Sequence, residues 1–443
     1  MVVCQEALDI QDIAALPQLE YLNLDHTELP EGSLETLSSL KMITCDYIQL
    51  DMLRLALGDA AKGLERLNAS HLKSLEELSY FPGLKSLEME DCREISDISA
   101  LAKVKDLENL KLYDMDEVND FTVLNVLKKL RSLSIDAENL KDISFIYHMP
   151  ELASLGITDS KILLLDPLVG KESLKELVLV DNGEVRDYNP VGTLTGLETL
   201  VINKYTSQED PDLTALTGLK HGEFHGMMGI RFLGSLTGLE ELKVQGCNVD
   251  QPSVIASLPA LKKLTYRKNW GNSDDLSFLA GCQGLTCLDM NHSEFYGDVS
   301  YAFNLPALET LILDSSSFEV KFDRLQDNPA LKALSLNHVK LYKNIEMWSD
   351  GMVRSINYDD VLLDEYTSFL GHYPSLEYLS LRGNQLTDLQ FAAGLKNLRE
   401  LDVTDNYVTD THVLDQLEYL GKDSTVKRPM ADVDWIDTVE DSH

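Results

Sequence analysis

One short pattern of leucine-type residues, L-x-x-L-x-L, recurs eighteen times along the 443-residue chain. The copies begin at Leu19, Leu40, Leu64, Leu84, Leu107, Leu130, Leu152, Leu174, Leu197, Leu219, Leu239, Leu261, Leu285, Leu308, Leu331, Val353, Leu376 and Leu398. The mean interval, (398 − 19)/17, is about 22 residues, and every interval lies between 20 and 24. Such a period is typical of chains that fold as a stack of similar coils, because one copy buries its apolar edge only against its neighbours.

The copy that starts at position 376 reads L-E-Y-L-S-L-R-G-N-Q-L-T-D-L and shows how one coil is built. Alternation predicts a short strand in which Tyr378 and Ser380 face outward while Leu379 and Leu381 face the core. Asn384 then turns the chain, and its amide is expected to pair with backbone groups that a buried turn would otherwise leave unsatisfied.

Ten of the eighteen copies have a small polar residue in the slot that Asn384 occupies. They are Thr27, Cys92, Ser160, Asn182, Cys247, Asn269, Ser293, Ser316, Asn384 and Asn406. The copies at Leu40, Leu64, Leu219 and Val353 depart most from the pattern, so we expect irregular geometry there. Four histidines, His26, His71, His292 and His338, share one repeat position and are interpreted as surface side chains rather than as a pH switch.

Two segments, L-T-G-L-E-T-L at 194–200 and L-K-N-L-R-E-L-D-V-T-D-N at 395–406, resemble the short 22-residue class of leucine-rich repeats. That class includes bacterial internalin-like proteins and the phosphatase-regulating repeat proteins of eukaryotes. The resemblance implies an α/β solenoid with about 18 short parallel strands on its concave face and irregular, 3-10 or short helical segments on its convex face. It also implies a protein that binds other proteins and has no catalytic activity on the repeats.

The pattern predicts a single solenoid over residues 1–420, because a solenoid is one continuous domain of any length. Residues 1–18 are predicted to form a partial first repeat, with a truncated strand near Val2 and Val3. Residues 421–443 are predicted to form an acidic C-terminal tail or cap.

The net charge of the chain and the motifs it lacks disfavour several classes of function. Lys and Arg number 38 and Asp and Glu number 74, a net charge of −36 that disfavours nucleic acid and anionic membrane surfaces as partners. No apolar run is long enough to insert into a membrane. A nucleophile elbow, a glycine-rich phosphate loop and a Cys-x-x-Cys pair are all missing from the sequence, so we expect neither an enzyme nor a bound cofactor.

The six cysteines do not form a disulfide framework, and Cys45, Cys92 and Cys247 fall on core or slot positions of the repeat. Buried free thiols fit a reducing compartment. The N-terminus has no basic segment followed by an apolar one, so the sequence predicts a cytoplasmic protein. A secreted or surface location remains the alternative if the chain is a fragment.

A run of polar residues, His221-Gly-Glu223-Phe-His225, lies on the strand of the copy at 219. Alternate residues of a strand share one face, so His221, Glu223 and His225 are expected to point the same way, with Glu241 on the next strand. One interpretation is a metal site, for which Glu241 would be a fourth ligand. Polar contact with a partner is the other, and the neighbouring cation Lys243 favours it.

The predicted binding surface combines an apolar centre with a basic flank. Between Leu219 and Lys268 there are seven basic and four acidic residues, and the outward positions just before this stretch are small and apolar. We therefore predict contact with a protein partner at Val178, Val180, Thr199, Val201, His221, Glu223, His225, Lys243, Lys263, Arg267 and Lys268. Strand propensity alone is the competing explanation for the valines.

These observations favour a non-enzymatic scaffold that binds a protein on its concave face. Two alternatives stay open at this point: a secreted or surface adhesin of the internalin-like kind, and a substrate-recognition module of a larger enzyme.

Overall fold

The computed structural model describes residues 2–3, 10–25, 27–204, 210–347, 353–361 and 363–420. The predicted acidic tail, 421–443, lies outside the described residues, as does His26. The chain divides into two compact units, Met1–Leu219 and Lys220–His443. The prediction of one continuous domain over 1–420 stays a prediction.

In the described part of the first unit, ten strands form a parallel ladder in chain order. They are β1 Val2–Val3, β2 Tyr21–Asp25, β3 Met42–Asp46, β4 Arg66–Ser70, β5 Ser86–Glu90, β6 Asn109–Leu112, β7 Ser132–Asp136, β8 Ser154–Thr158, β9 Glu176–Val180 and β10 Thr199–Asn203. The register places equivalent residues of successive copies side by side, as with Leu155, Leu177 and Leu200. The predicted parallel sheet is confirmed.

Side chains alternate along each strand, as the sequence pattern requires. In β8, Leu155 and Ile157 are fully buried, and the residues on either side of them are partly exposed. Each inward leucine stacks on its counterpart in the next copy, so the core is a continuous ribbon behind the sheet. The partly exposed side chains make up what we call the open face of the sheet.

The chain returns from each strand mainly through short helical turns. In the first unit these are α1 Ile10–Ala14, α2 Leu50–Leu57 and the 3-10 helices Gly58–Gly63, Glu76–Tyr80, Ser99–Lys103, Thr122–Val126, Ser144–His148, Asp166–Leu168 and Asn189–Thr193. An aspartate precedes four of these 3-10 helices, and a fifth precedes Thr214; each accepts a hydrogen bond from the backbone N–H two residues later. This capping column consists of Asp97, Asp120, Asp142, Asp187 and Asp212. Part of the chain's acidity therefore has a structural role.

In the described part of the second unit, eight strands form a second parallel ladder. They alternate in sequence with strands of two smaller sheets, and all are named here in chain order. The strands are β11 His221–His225, β12 Glu241–Gln245, β13 Asn248–Val249, β14 Lys263–Arg267, β15 Trp270–Gly271, β16 Cys287–Asp289, β17 Glu294–Asp298, β18 Thr310–Ile312, β19 Ser317–Glu319, β20 Ala333–Ser335, β21 Lys340–Met347, β22 Val353–Val361, β23 Tyr378–Ser380 and β24 Glu400–Asp402. The ladder is β11-β12-β14-β16-β18-β20-β23-β24.

Two small sheets lie beside this second ladder and were not predicted. One pairs β13 with β15, and the other has the order β17-β19-β21-β22. The helical turns of this unit are α3 Ser253–Ala256, α4 Ser300–Phe303 and the 3-10 helices Arg231–Ser235, Leu276–Gly281, Phe322–Arg324, Leu363–His372, Gln390–Gly394 and His412–Gln416.

The repeat predicted at Val353 is wrong. Residues 353–361 form β22, which pairs antiparallel with β21, and β20 pairs directly with β23 in the ladder. The matching letters belong to a β-hairpin inserted between two copies, since strands and repeats both favour spaced apolar residues. The strands of the copies starting at 40, 64 and 219, where irregular geometry was expected, are regular: β3, β4 and β11 have five residues each and pair in register. The copy at 40 is irregular in its return segment, which contains the α-helix α2.

The predicted role of the polar slot is confirmed. Asn182 Nδ2 donates to the carbonyl of Ile157 at 2.8 Å, and Asn269 Nδ2 donates to the carbonyl of Val244 at 3.0 Å. The equivalent contact with the preceding copy is made by Cys92, Cys247, Ser316, Asn384 and Asn406. These bonds satisfy carbonyl oxygens at the strand ends, which would be costly to leave unpaired inside the coil.

The residue before the slot has a left-handed backbone in most copies. Positive φ occurs there at Tyr47, His71, Asp91, Asp114, Asp159, Asp181, Gly226, Gly246, Lys268, His292, Ser315, His338, Gly383 and Asp405. Asp, His and Gly adopt this backbone more readily than bulky or β-branched residues do. The turn therefore accounts for the repeat position that His71, His292 and His338 share.

In the described part of the chain, no helix is both long and apolar enough to cross a bilayer. Cys45, Cys92, Cys247, Cys282 and Cys287 are free thiols, and the first four are buried.

Candidate functional site

The open face of β11, β12 and β14 places the predicted polar residues in two rows. Register puts His221 beside Glu241 and Glu241 beside Lys263. His221 Nδ1 lies 3.1 Å from one carboxylate oxygen of Glu241, and Lys263 Nζ lies 2.9 Å from the other. Glu241 thus joins its two neighbours into a first row that crosses three strands.

The second row centres on Glu223, whose side chain is only 13% exposed. Its Oε1 lies 2.6 Å from His225 Nε2 and 2.8 Å from Lys243 Nζ. Burial by itself would raise the pKa of Glu223, but the hydrogen bond with His225 and the ammonium of Lys243 outweigh it, so the pKa is lowered. Glu223 is therefore a largely buried carboxylate that its neighbours keep charged.

The last two basic residues of the prediction lie at the end of β14. Arg267 forms a two-point ion pair with Asp289 on β16, with Nε 3.2 Å from Oδ1. Lys268 is the first residue beyond β14, where its left-handed backbone starts the turn and its N–H donates to Ser293 Oγ at 2.9 Å. Asp289 is a member of the site that sequence reasoning missed: it lies in register with Thr265, so its ion pair with Arg267 runs diagonally between the two strands.

These contacts bear directly on the metal interpretation. Glu223 is held by a lysine and a histidine, and Glu241 is held by Lys263 and His221. Across the ranges that the structure describes, no group of three or more His, Cys, Asp or Glu side chains is placed to hold a metal ion. The strand face does bring His221, Glu223 and His225 to one side, as predicted, but their contacts are ion pairs and hydrogen bonds.

The basic flank is largely compensated by local ion pairs. Besides the two rows, Lys262 pairs with Glu240 at 2.7 Å and Arg231 pairs with Asp250 at 2.6 Å. All four acidic residues of the 219–268 stretch are therefore paired with basic residues of the same stretch. The surface therefore mixes positive and negative side chains and is not uniformly positive.

The apolar part of the predicted surface belongs to the first unit. Val178 on β9 lies in register with Val201 on β10, and both are partly exposed, as is Thr199. On the other side of Val178 the register places Gly156, which has no side chain to cover it. Val180 is only 7% exposed, so it offers little surface to a partner.

Comparisons with known proteins agree with this architecture. A family model described as leucine rich repeats in two copies matches residues 374–416. A search of curated protein sequences finds no match. Among solved structures, an internalin from Listeria monocytogenes is 23% identical with a TM-score of 0.50, and the alignment covers 78% of this chain and 88% of the internalin.

Two further structures share the fold. A leucine-rich repeat protein of Leptospira interrogans is 16% identical with a TM-score of 0.50, covering 92% of this chain and 98% of that one. The receptor in the TLR13–ssRNA13 complex is 16% identical with a TM-score of 0.57, covering 91% of this chain and 60% of the receptor chain. At these identities the comparisons establish a common solenoid fold.

Proposed function

Because the chain is a leucine-rich repeat protein, we propose that it is a non-enzymatic scaffold that binds a protein partner on the open face of its sheet. The observation that carries the proposal is the pair of charged rows on β11, β12 and β14. The open face is the side that the leucine-rich repeat pattern predicts to be concave.

The rows suit protein recognition for two physical reasons. Their side chains already hold one another in place, so a partner fixes them at little further cost in side-chain entropy. Their interleaved positive and negative charges favour a partner with the complementary arrangement and disfavour others, which gives specificity rather than raw affinity. In the first unit we assign the same role to the partly exposed Val178, Thr199 and Val201.

A protein is a better fit than a nucleic acid. The chain has a net charge of −36, and Lys243, Lys263 and Arg267 already have carboxylate partners, so a phosphate backbone would meet repulsion with little compensation. The receptor of similar fold described above forms a complex with ssRNA13, so the fold alone does not decide this point.

Two adjacent lysines provide a matched test. Lys263 lies on the open face and pairs with Glu241, whereas Lys262 precedes β14 and pairs with Glu240. Lys263→Glu and Lys262→Glu therefore make the same charge change one residue apart. We expect affinity capture and mass spectrometry to recover a protein with the wild type and with Lys262→Glu, and to lose it with Lys263→Glu.

The captured protein would then be purified and its Kd measured against all three chains. A Kd that Lys263→Glu leaves unchanged, with both variants melting like the wild type, would refute binding on the second unit's open face.

We also place the scaffold in a reducing compartment such as the cytoplasm. The support is that the five described cysteines are free, four of them buried where a disulfide partner has no access. Fractionation of cells expressing the full gene, with labelling of free thiols under denaturing conditions, tests this. Recovery outside the cell would favour the adhesin alternative instead.

A further inference from the structure

The 3-10 side of the first unit has exposed apolar side chains in two neighbouring repeats. Tyr147 is 59% exposed, Leu164 58% and Val169 54%, and Leu163 beside them is also exposed. We call these four residues the lateral patch. Apolar residues exposed singly are ordinary, but several on adjoining elements indicate a contact surface.

The patch spans two neighbouring repeats. Tyr147 and Val169 each follow a fully buried residue, Ile146 or Leu168, that anchors the 3-10 helix of its repeat. The two 3-10 helices contact each other, so equivalent residues lie side by side. Tyr147 and Val169 therefore occupy matching positions on the same surface.

Leu164 takes a place that belongs to the capping column. In the repeat before it, Asp142 accepts a hydrogen bond from the N–H of Ser144 at 2.9 Å. In the repeat after it, Asp187 accepts one from the N–H of Asn189 at 2.8 Å. The side chain of leucine has no hydrogen-bond acceptor, so Leu164 leaves its turn without this cap. It also exposes an apolar side chain. Neither property helps the fold, which points to a role in binding.

The surroundings of the patch are acidic. Residues 138–189 contain ten acidic and five basic residues. Asp142, Asp166 and Asp187 are exposed beside the patch, and no ion pair involves any of them within the described part of the chain. An apolar surface with an acidic rim complements a segment that carries apolar side chains flanked by lysine or arginine.

We propose that the lateral patch is a second docking surface, which takes a basic amphipathic segment of a partner protein. A second copy of this chain is a poorer occupant, because each copy has a net charge of −36 and would bring its own acidic rim. The surface lies on the 3-10 side of the first unit and does not depend on the open face of either unit.

Leu164→Asp tests the proposal without endangering the fold, since it restores the capping residue of the column. The probe is a short helical peptide of leucine and lysine, with a leucine and glutamate twin as its opposite-charge control. We expect fluorescence anisotropy to show at least about tenfold weaker binding of the basic peptide to Leu164→Asp than to the wild type, about 1.4 kcal/mol. Thermal melting of the variant should be unchanged or slightly higher.

The added aspartate strengthens the general attraction for a basic peptide, so a loss of affinity isolates the apolar contact. Leu55→Asp, an exposed position on α2, makes the same change away from the patch and should bind like the wild type. Equal binding to Leu164→Asp, or equal binding of the acidic twin, would overturn the proposal. Concentration-dependent dimerisation that Leu164→Asp abolishes would assign the patch to a second copy instead.

Discussion

The side-chain amide of Asn384 donates to the backbone carbonyl of Leu336 over 2.6 Å, although the two residues are 48 positions apart. In other copies the same contact joins residues about one repeat period apart, as with Asn182 and Ile157. The extra length is the hairpin of β21 and β22. The bond therefore shows that the hairpin leaves the solenoid and returns to it without breaking the stack.

Replacing Asn384 by Ala should weaken the second unit noticeably. The change removes the bond to Leu336 and the acceptor for the N–H of Val339, both at buried or partly buried sites. We expect a loss of about 2 kcal/mol, measured as a shift of the denaturant midpoint. Asn397→Ala is the control, because its bond to the carbonyl of Pro374 is exposed and should matter by less than about 0.5 kcal/mol. Equal effects would contradict the slot's role.

At the left-handed turn position, the stability of a variant should depend on the backbone preference of the new residue rather than on the chemistry of its side chain. His292 has φ of 51° and an exposed side chain. We expect His292→Gly to match or exceed the wild type in melting temperature, and His292→Val to lose about 1–2 kcal/mol because a β-branched residue is strained there. If valine and glycine proved equally stable, the turn would not be setting the residue at this position.

Because the aspartates of the capping column stabilise the fold when ionised, the free energy of unfolding should fall at acidic pH. Hydrogen bonds from Ser99, Thr122 and Thr214 lower the pKa of Asp97, Asp120 and Asp212. A lowered folded pKa means that the stabilisation is complete above the unfolded value, about 3.9, and is lost as pH falls through the folded pKa. A triple Asp→Asn variant keeps the acceptors but cannot titrate there.

Melting temperatures of wild type and triple variant, compared from pH 7 to pH 2.5, measure this contribution. We expect the wild type to lose its advantage over the variant below about pH 4. A constant difference over the whole range would show that the caps do not contribute through ionisation.

The buried carboxylate of the second row depends on its lysine. Lys243→Met leaves Glu223 buried, with His225 as its remaining partner in the row, so the pKa of Glu223 should rise and about 1–3 kcal/mol of stability should be lost near neutral pH. Lys332→Met breaks an exposed pair with Glu309 of similar length, 3.0 Å, and should cost less than about 1 kcal/mol. Chemical denaturation of the two variants separates these outcomes. A loss confined to Lys332→Met would contradict this account of the row.

Much of the site could be predicted from the strand pattern. Alternation correctly put His221, Glu223 and His225 on one face, since side-chain direction in a strand has a period of two. Which side chains form ion pairs with one another could not be predicted in the same way. That Glu223 binds Lys243, and that Arg267 binds Asp289, depends on the register between copies and on rotamers that packing selects.

Periodic apolar positions and one polar residue per turn were enough to predict the repeating coil, the parallel ladder and the slot. Local sequence did not predict that the copy at Val353 is a hairpin strand or that Val180 is buried. Both outcomes depend on which segments become neighbours in space. Hydrophobic spacing looks the same in a ladder strand and in an inserted hairpin, and only the pairing of backbone hydrogen bonds distinguishes the two.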